Sequence, residues 1–165
     1  MVLDAATLIS LVHTFGYLGV FVGSILTSLT LFIPVPGFIF VVTAGALLNP
    51  FWVGIAAGVG AAIGELVGYP IGRGINYGLK KKKKIRQNKG MFKLIREWFN
   101  KKRGPLIIFL FAVSPLPDDF VVIFCGLIKY DAKKLFLSLL AGKILFSLAL
   151  AYAGYYGIEI ASGFL

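Results

Sequence analysis

An oily run late in the chain is interrupted by SPLPDDFVVIFCG, Ser114 to Gly126, which sets two prolines and two aspartates between apolar arms. The arms are LIIFLFAV, Leu106 to Val113, and FVVIFCGLI, Phe120 to Ile128. Each has about nine residues and as helix reaches ~13.5 Å, less than half of the roughly 30 Å hydrocarbon core of a bilayer. Neither arm can cross alone. The stretch therefore reads as a re-entrant helical hairpin with Pro115, Pro117, Asp118 and Asp119 at its tip. Such backbone is tolerated at membrane depth only where it is buried in protein or lines a wet cavity, which makes the tip a candidate functional site.

The composition supports a membrane setting. Of 165 residues, 58% are hydrophobic, and long runs carry no charge, so one polytopic membrane domain over residues 1–165 is expected rather than a soluble one. The N-terminus has no charged n-region and no small-residue cleavage site, so no removable signal peptide is read. The formal charge of +10 is not a nucleic-acid signal, because thirteen of the seventeen basic residues fall between Arg73 and Arg103. Short loops rich in Lys and Arg stay cytoplasmic, which puts residues 75–104 and the turn 129–134 on that side, in a protein of the cell membrane. Cys125, the one cysteine, excludes an internal disulfide and reads as a small packing residue.

From the start, Leu8, Leu11, Val12 and Phe15 lie at helical spacing opposite Thr7, Ser10 and Thr14, with Asp4 placed to cap: an interfacial amphipathic helix carrying a solvated His13. The alternative is one crossing helix from Ala5 to Leu26. Gly16 breaks the pattern, Tyr17 to Ile33 form an apolar arm, PVPG (Pro34 to Gly37) turns it, and Phe38 to Leu48 lead back. Phe51 to Gly74 is long enough to span and carries Gly60, Gly64, Gly68 and Gly72, a stripe that admits close helix approach within the chain or in a homo-oligomer. Glu65 lies beside the stripe, with Tyr69 and Arg73 on roughly the same face. A carboxylate so deep must face the bundle interior and find a partner or a proton. The polybasic stretch 78–90 reads as a topogenic loop or as an attractor of anionic lipid headgroups. Met91 to Asn100 reads as a second interfacial helix. Lys133 to Tyr155 spans, carries Lys143 after Gly142 at mid-depth, and ends in an aromatic belt of Tyr152, Tyr155 and Tyr156, before a tail at 157–165.

Sliding the chain by 81 positions lays Pro34 on Pro115, Pro36 on Pro117 and Gly45 on Gly126. The halves, about 5–74 and about 91–156 around a basic loop 75–90, share the order amphipathic helix, hairpin, spanning helix. The charge bias makes the first hairpin enter from outside and the second from the cytoplasm. The expected fold is thus an all-α inverted repeat whose proline tips meet near the midplane, the architecture of many secondary transporters.

GAAIGELVGYPIGR, Gly60 to Arg73, together with the two proline hairpins resembles the DedA/VTT superfamily, also called SNARE-associated membrane proteins, over about Phe15 to Tyr156. The resemblance implies a lipid or ion transport role, since bacterial members look like proton-linked flippases of polyprenyl-phosphate carriers and eukaryotic relatives act as phospholipid scramblases. The chain departs from the bacterial pattern. Its acidic positions fall near Leu26 and Thr27 and at Phe38, and Ala112 and Asp118 stand where the second hairpin's arginines would be. An arginine fork suits a phosphate, and only Lys143 remains as a deep cation. The PxxD element and the Gly142 and Lys143 pair look more like a smaller branch of the superfamily.

These readings converge on a transporter or flippase without cofactor or metal. Asp118 and Asp119 are expected as proton or cation ligands, Glu65 as proton carrier or partner, and Lys143 as their counter-ion or an anion contact. The alternative is a non-transporting scaffold in which these four charges form a fixed cluster, whose stability would fall when Lys143 or Asp119 is neutralised. In a second reading of the tip, Asp118 or Asp119 caps the helix that follows. No HExxH, GxSxG or phosphate-loop motif supports an enzyme, which leaves only an aspartyl hydrolase built on Asp118 and Asp119 as an enzymatic alternative.

Overall fold

A computed structural model of the chain describes residues 10, 12–29, 35–81, 97, 99, 103–116 and 118–162. Among these residues seven helices have both ends described and no strand occurs: α1 (Tyr17–Leu29), α2 (Val35–Leu47), α3 (Pro50–Glu65), α4 (Gly68–Lys81), α5 (Gly104–Val113), α6 (Asp119–Leu127) and α7 (Ala132–Ser162); residues 12–15 are helical as well. Two stretches, Pro50–Ile75 and Ala132–Gly157, are each 26 residues long and apolar enough to cross a membrane. The hairpin arms are not. At 13 residues, α1 and α2 reach only about 20 Å.

Each boundary has a local cause. Gly16 takes φ +55°, the left-handed conformation that glycine adopts without strain, so no single helix runs from Ala5 to Leu26. The side chain of Asn49 accepts the N–H of Phe51, and Pro50 fills a first-turn position where its missing N–H costs nothing. Asp131 does the same for α7, accepting from the N–H groups of Lys133 and Lys134 at 2.9 and 3.1 Å. At the end of α6, Tyr130 N–H returns to Cys125 O and Lys129 N–H to Gly126 O, a Schellman closure with Lys129 left-handed at φ 57°.

Several expectations are corrected. The span expected from Phe51 to Gly74 is matched by the apolar stretch Pro50–Ile75, but its helix is interrupted at Leu66 and Val67, where Val67 N–H reaches Gly64 O and Tyr69 N–H reaches Leu66 O in tight three-residue turns. Pro70 is the cause: it has no N–H for the Leu66 carbonyl, and its ring crowds that oxygen. The turn placed at Pro34 to Gly37 is overlapped by α2, which begins at Val35 and takes Pro36 and Gly37 into its first turn. The helices also overrun their expected ends, α4 to Lys81 and α7 to Ser162. Pro34 and Pro117, the loop residues 82–90 and most of the two interfacial helices lie outside the described residues. Of those helices, Phe99 is buried with its ring edge-on to Phe124 and Tyr130.

The glycine stripe divides between two neighbours rather than facing one. A Cβ on Gly60 or Gly64 would meet the carbonyls of Phe21 and Ile25 on α1, whereas one on Gly68 or Gly72 would meet Val122 and Ile123 on α6. The α7 helix is met instead by Gly54 and Gly58, against Leu148 and Ile144. The stripe is therefore spent inside the chain, on both hairpins.

The same contacts recur in both halves. Gly45 of α2 lies against the backbone of Ala151 while Gly154 lies against Val42 O; likewise Gly126 of α6 lies against Tyr69 O while Gly72 lies against Ile123 O. Val42 and Gly45 superpose on Ile123 and Gly126 by the 81-residue shift. A shift of 82 lays Asn49 on Asp131, Gly60 on Gly142 and Gly72 on Gly154. Each half thus lends its second arm to the other half's long helix and keeps its first arm on its own, α1 on α3 and α5 on α7. Two apolar cores follow, one around Val20, Phe40, Val53 and Ala151, the other around Ile108, Val122, Cys125 and Leu139.

Candidate functional site

Where α3, α7 and the second hairpin converge, three charged side chains are buried together. Lys143 Nζ bonds Glu65 Oε1 and lies 2.8 Å from Asp118 Oδ2. Glu65, Asp118 and Lys143 are 7%, 5% and 9% exposed, so the cluster is cut off from bulk solvent. Its placement follows from the local breaks described above. Pro70 ends α3 on Glu65, Asp118 stands at the N-cap position just ahead of α6, and Gly142 lets α5 approach α7 one residue before Lys143. With both carboxylates ionised, two carboxylates and one ammonium leave the cluster one negative charge in excess.

The cluster forms one wall of a cavity of about 90 Å³, room for about three waters at the roughly 30 Å³ each takes in the liquid. Thr27 and Ser28 at the end of α1 and Gly37 and Phe38 at the start of α2 line it from the first hairpin. Ser114, Leu116 and Asp118 line it from the second. The flanks of both tips thus face one space.

Of the residues singled out from the sequence, Glu65, Asp118, Lys143 and Gly37 come together here. The others do not. Asp119 is half-buried in the first turn of α6, where an acidic side chain suits the helix dipole, and it does not line the cavity. Pro115 is exposed. The break at Leu66 turns Tyr69 and Arg73 off the face of Glu65: Tyr69 Oη donates to Tyr130 O at 2.6 Å, and Arg73 stands over the Tyr69 ring at 5.9 Å. Gly45, Gly64, Gly126 and Gly142 serve the helix crossings. His13 is exposed, and Cys125 is a buried, unpaired packing residue. The capping reading of Asp118 is corrected in part. Its backbone carbonyl accepts from Val121 and Val122, but its side chain makes no capping bond and goes to Lys143 instead.

Sequence reasoning missed the hydroxyls of the cavity: Ser24, Thr27 and Ser28 on α1 and Ser147 on α7. A signal for them exists. Ser24, Thr27 and Ser28 stand three and four residues apart in an otherwise apolar arm, one polar stripe on one helix face, and Ser147 lies one turn beyond Lys143.

Neither the curated proteins nor the solved structures contain a match to this chain. A family model does match, over residues 35–156, from the first turn of α2 to the tyrosines of α7, and so takes in the whole charged cluster. The chain belongs to the VTT domain family.

Proposed function

We propose that the protein is an integral membrane transporter of the flippase type, working from the cavity between two opposed re-entrant hairpins. The observation that carries this reading is the buried cluster Glu65–Lys143–Asp118, which joins the end of α3, the middle of α7 and the second tip across one cavity. Ionisable groups at such depth are expensive and mark ion or substrate pathways. The family points the same way, since its members are generally membrane proteins proposed as transporters or flippases. The exchanged contacts of the two halves support an inverted repeat, in which a site at the repeat interface is the expected place for transport.

In this mechanism Lys143 is shared between two carboxylates on different elements. A proton taken up by Glu65 cuts the tie from α3 to α7 and leaves Lys143 with Asp118, so protonation and the opening of one side of the cavity become a single event. Asp119, in the first turn of α6 and off the cavity, adds negative charge near the cluster. The basic end of the molecule faces the cytoplasm: Arg103, Lys129, Lys133 and Lys134 are exposed around the α6–α7 turn. The polybasic segment 78–90 is the part proposed to meet anionic headgroups.

The test is reconstitution in liposomes with proton flux and lipid-headgroup flipping measured together. Glu65→Gln with Asp118→Asn is expected to abolish both. Silence of the native protein in both assays, or full activity in the double variant, sinks the proposal. A second reading is favoured by the ion pairs themselves: a scaffold that the cluster merely clamps. Because Lys143 holds two carboxylates at once, its loss destabilises either kind of protein. The deciding variant neutralises all three groups together, and in a scaffold it changes no flux.

A further inference from the structure

The excess negative charge of the cluster has a second set of neighbours. Lys143 engages Oε1 of Glu65, while Oε2 of the same carboxylate is buried without a hydrogen-bond partner. Ser24 Oγ, on a residue 3% exposed, is likewise buried without a partner. Both residues line the cavity, together with Ser28 and the buried Ser147. A carboxylate oxygen and a hydroxyl left unsatisfied in an apolar interior each carry a desolvation cost that a ligand can remove. We infer that the cavity is a binding site for a small monovalent cation of the sodium class, held by Glu65 Oε2, Ser24 Oγ and the neighbouring hydroxyls of Ser28 and Ser147.

The chemistry selects that class. Carboxylate and hydroxyl oxygens are hard ligands, suited to alkali and alkaline-earth ions rather than to soft metals. A divalent ion draws on six or more oxygens and several carboxylates, whereas this site has one net negative charge to offer and an ammonium group beside it. A single positive charge brings the cluster to neutrality. The volume agrees, since about 90 Å³ holds one ion with one or two waters. The inference deepens the transport reading by naming a cation for its site, but it concerns the protein at rest and needs no flux.

Saturable binding of radioactive sodium to the purified full chain in detergent, against potassium and choline as competitors, tests it. The native protein is expected to bind sodium in the millimolar range or tighter. Ser24→Ala, a small change that keeps the fold, should weaken binding roughly tenfold, the scale on which metal sites respond to loss of a supporting group. Its melting temperature in choline should match the native value, and Glu65→Gln should bind none. Absence of saturable sodium binding by the folded native protein overturns the inference, as does unchanged affinity in Ser24→Ala. Sodium binding without transport in liposomes would sink the transport reading and leave the site standing; transport without sodium binding would do the reverse.

Discussion

Lys143 is the residue on which the molecule's polar interior depends. Removing one partner of a buried ion pair costs about 3–5 kcal/mol, because the remaining charge is left uncompensated. Here two carboxylates would be stranded, so Lys143→Met is expected to unfold at distinctly lower temperature in detergent than the native protein. Adding Glu65→Gln and Asp118→Asn should recover most of that loss, since the amides carry no charge to strand. A Lys143→Met variant as stable as the native chain would show that the pairs hold nothing together. Asp131 makes a contrasting, solvent-facing case. Its carboxyl is held below the usual range, chiefly by the N–H of Lys134, also by that of Lys133 and by the two lysine charges. A folded value below the unfolded one means that its stabilisation is present above about pH 4 and is lost as pH falls through the lowered value. Amide exchange at Lys133 and Lys134 should therefore quicken in strong acid in the native protein. In Asp131→Ala it should be fast already at neutral pH.

At the scale of elements, glycine decides which helices touch. A Cβ at Gly126 would run into the backbone of Tyr69, and one at Gly45 into that of Ala151, neither of which can move aside as a side chain does. Gly126→Ala and Gly45→Ala are each expected to destabilise by about 1–3 kcal/mol, the range for overpacking. At Gly74 a Cβ would meet nothing within 4 Å, so Gly74→Ala should instead stabilise by roughly 0.5–1 kcal/mol through helix propensity. Thermal unfolding of the three variants checks the signs. The sequence made these elements legible to different degrees. Gly45 and Gly126 stood out because each follows a proline pair at one spacing, and Glu65 and Lys143 because charge is rare in oily runs. The break at Leu66 was missed although Pro70 was visible, because an apolar run of spanning length outweighed a proline near its end. The serines of the cavity were missed because hydroxyls in an apolar helix commonly bond their own backbone, as Thr27 Oγ1 does with Ser24 O at 3.2 Å. Ser24, whose Cβ stands beside Gly60 of α3, makes no such bond.

For the whole molecule, the two helix caps offer a test of the proposed inverted repeat. Asn49 caps α3 and Asp131 caps α7, and the 82-residue shift carries one onto the other. Asn49 shares a surface hollow with Tyr152 and Tyr155, near the far end of α7, whereas Asp131 stands at its start. The twenty-odd helical residues between them extend about 30–35 Å, the thickness of a hydrocarbon core. Equivalent positions at opposite ends of one long helix are what an inverted repeat requires, and a parallel repeat would put them at the same end. The surroundings differ in the expected sense: exposed Phe51, Trp52, Tyr152, Tyr155 and Tyr156 gather near Asn49, and exposed lysines surround Asp131. In a Cys125→Ala background, Asn49→Cys should react with a membrane-impermeant maleimide added outside intact cells. Asp131→Cys should react only after the cytoplasmic face is opened. Labelling of both from one side would overturn the inverted topology, and with it the idea that the two tips enter from opposite faces to enclose Glu65, Asp118 and Lys143.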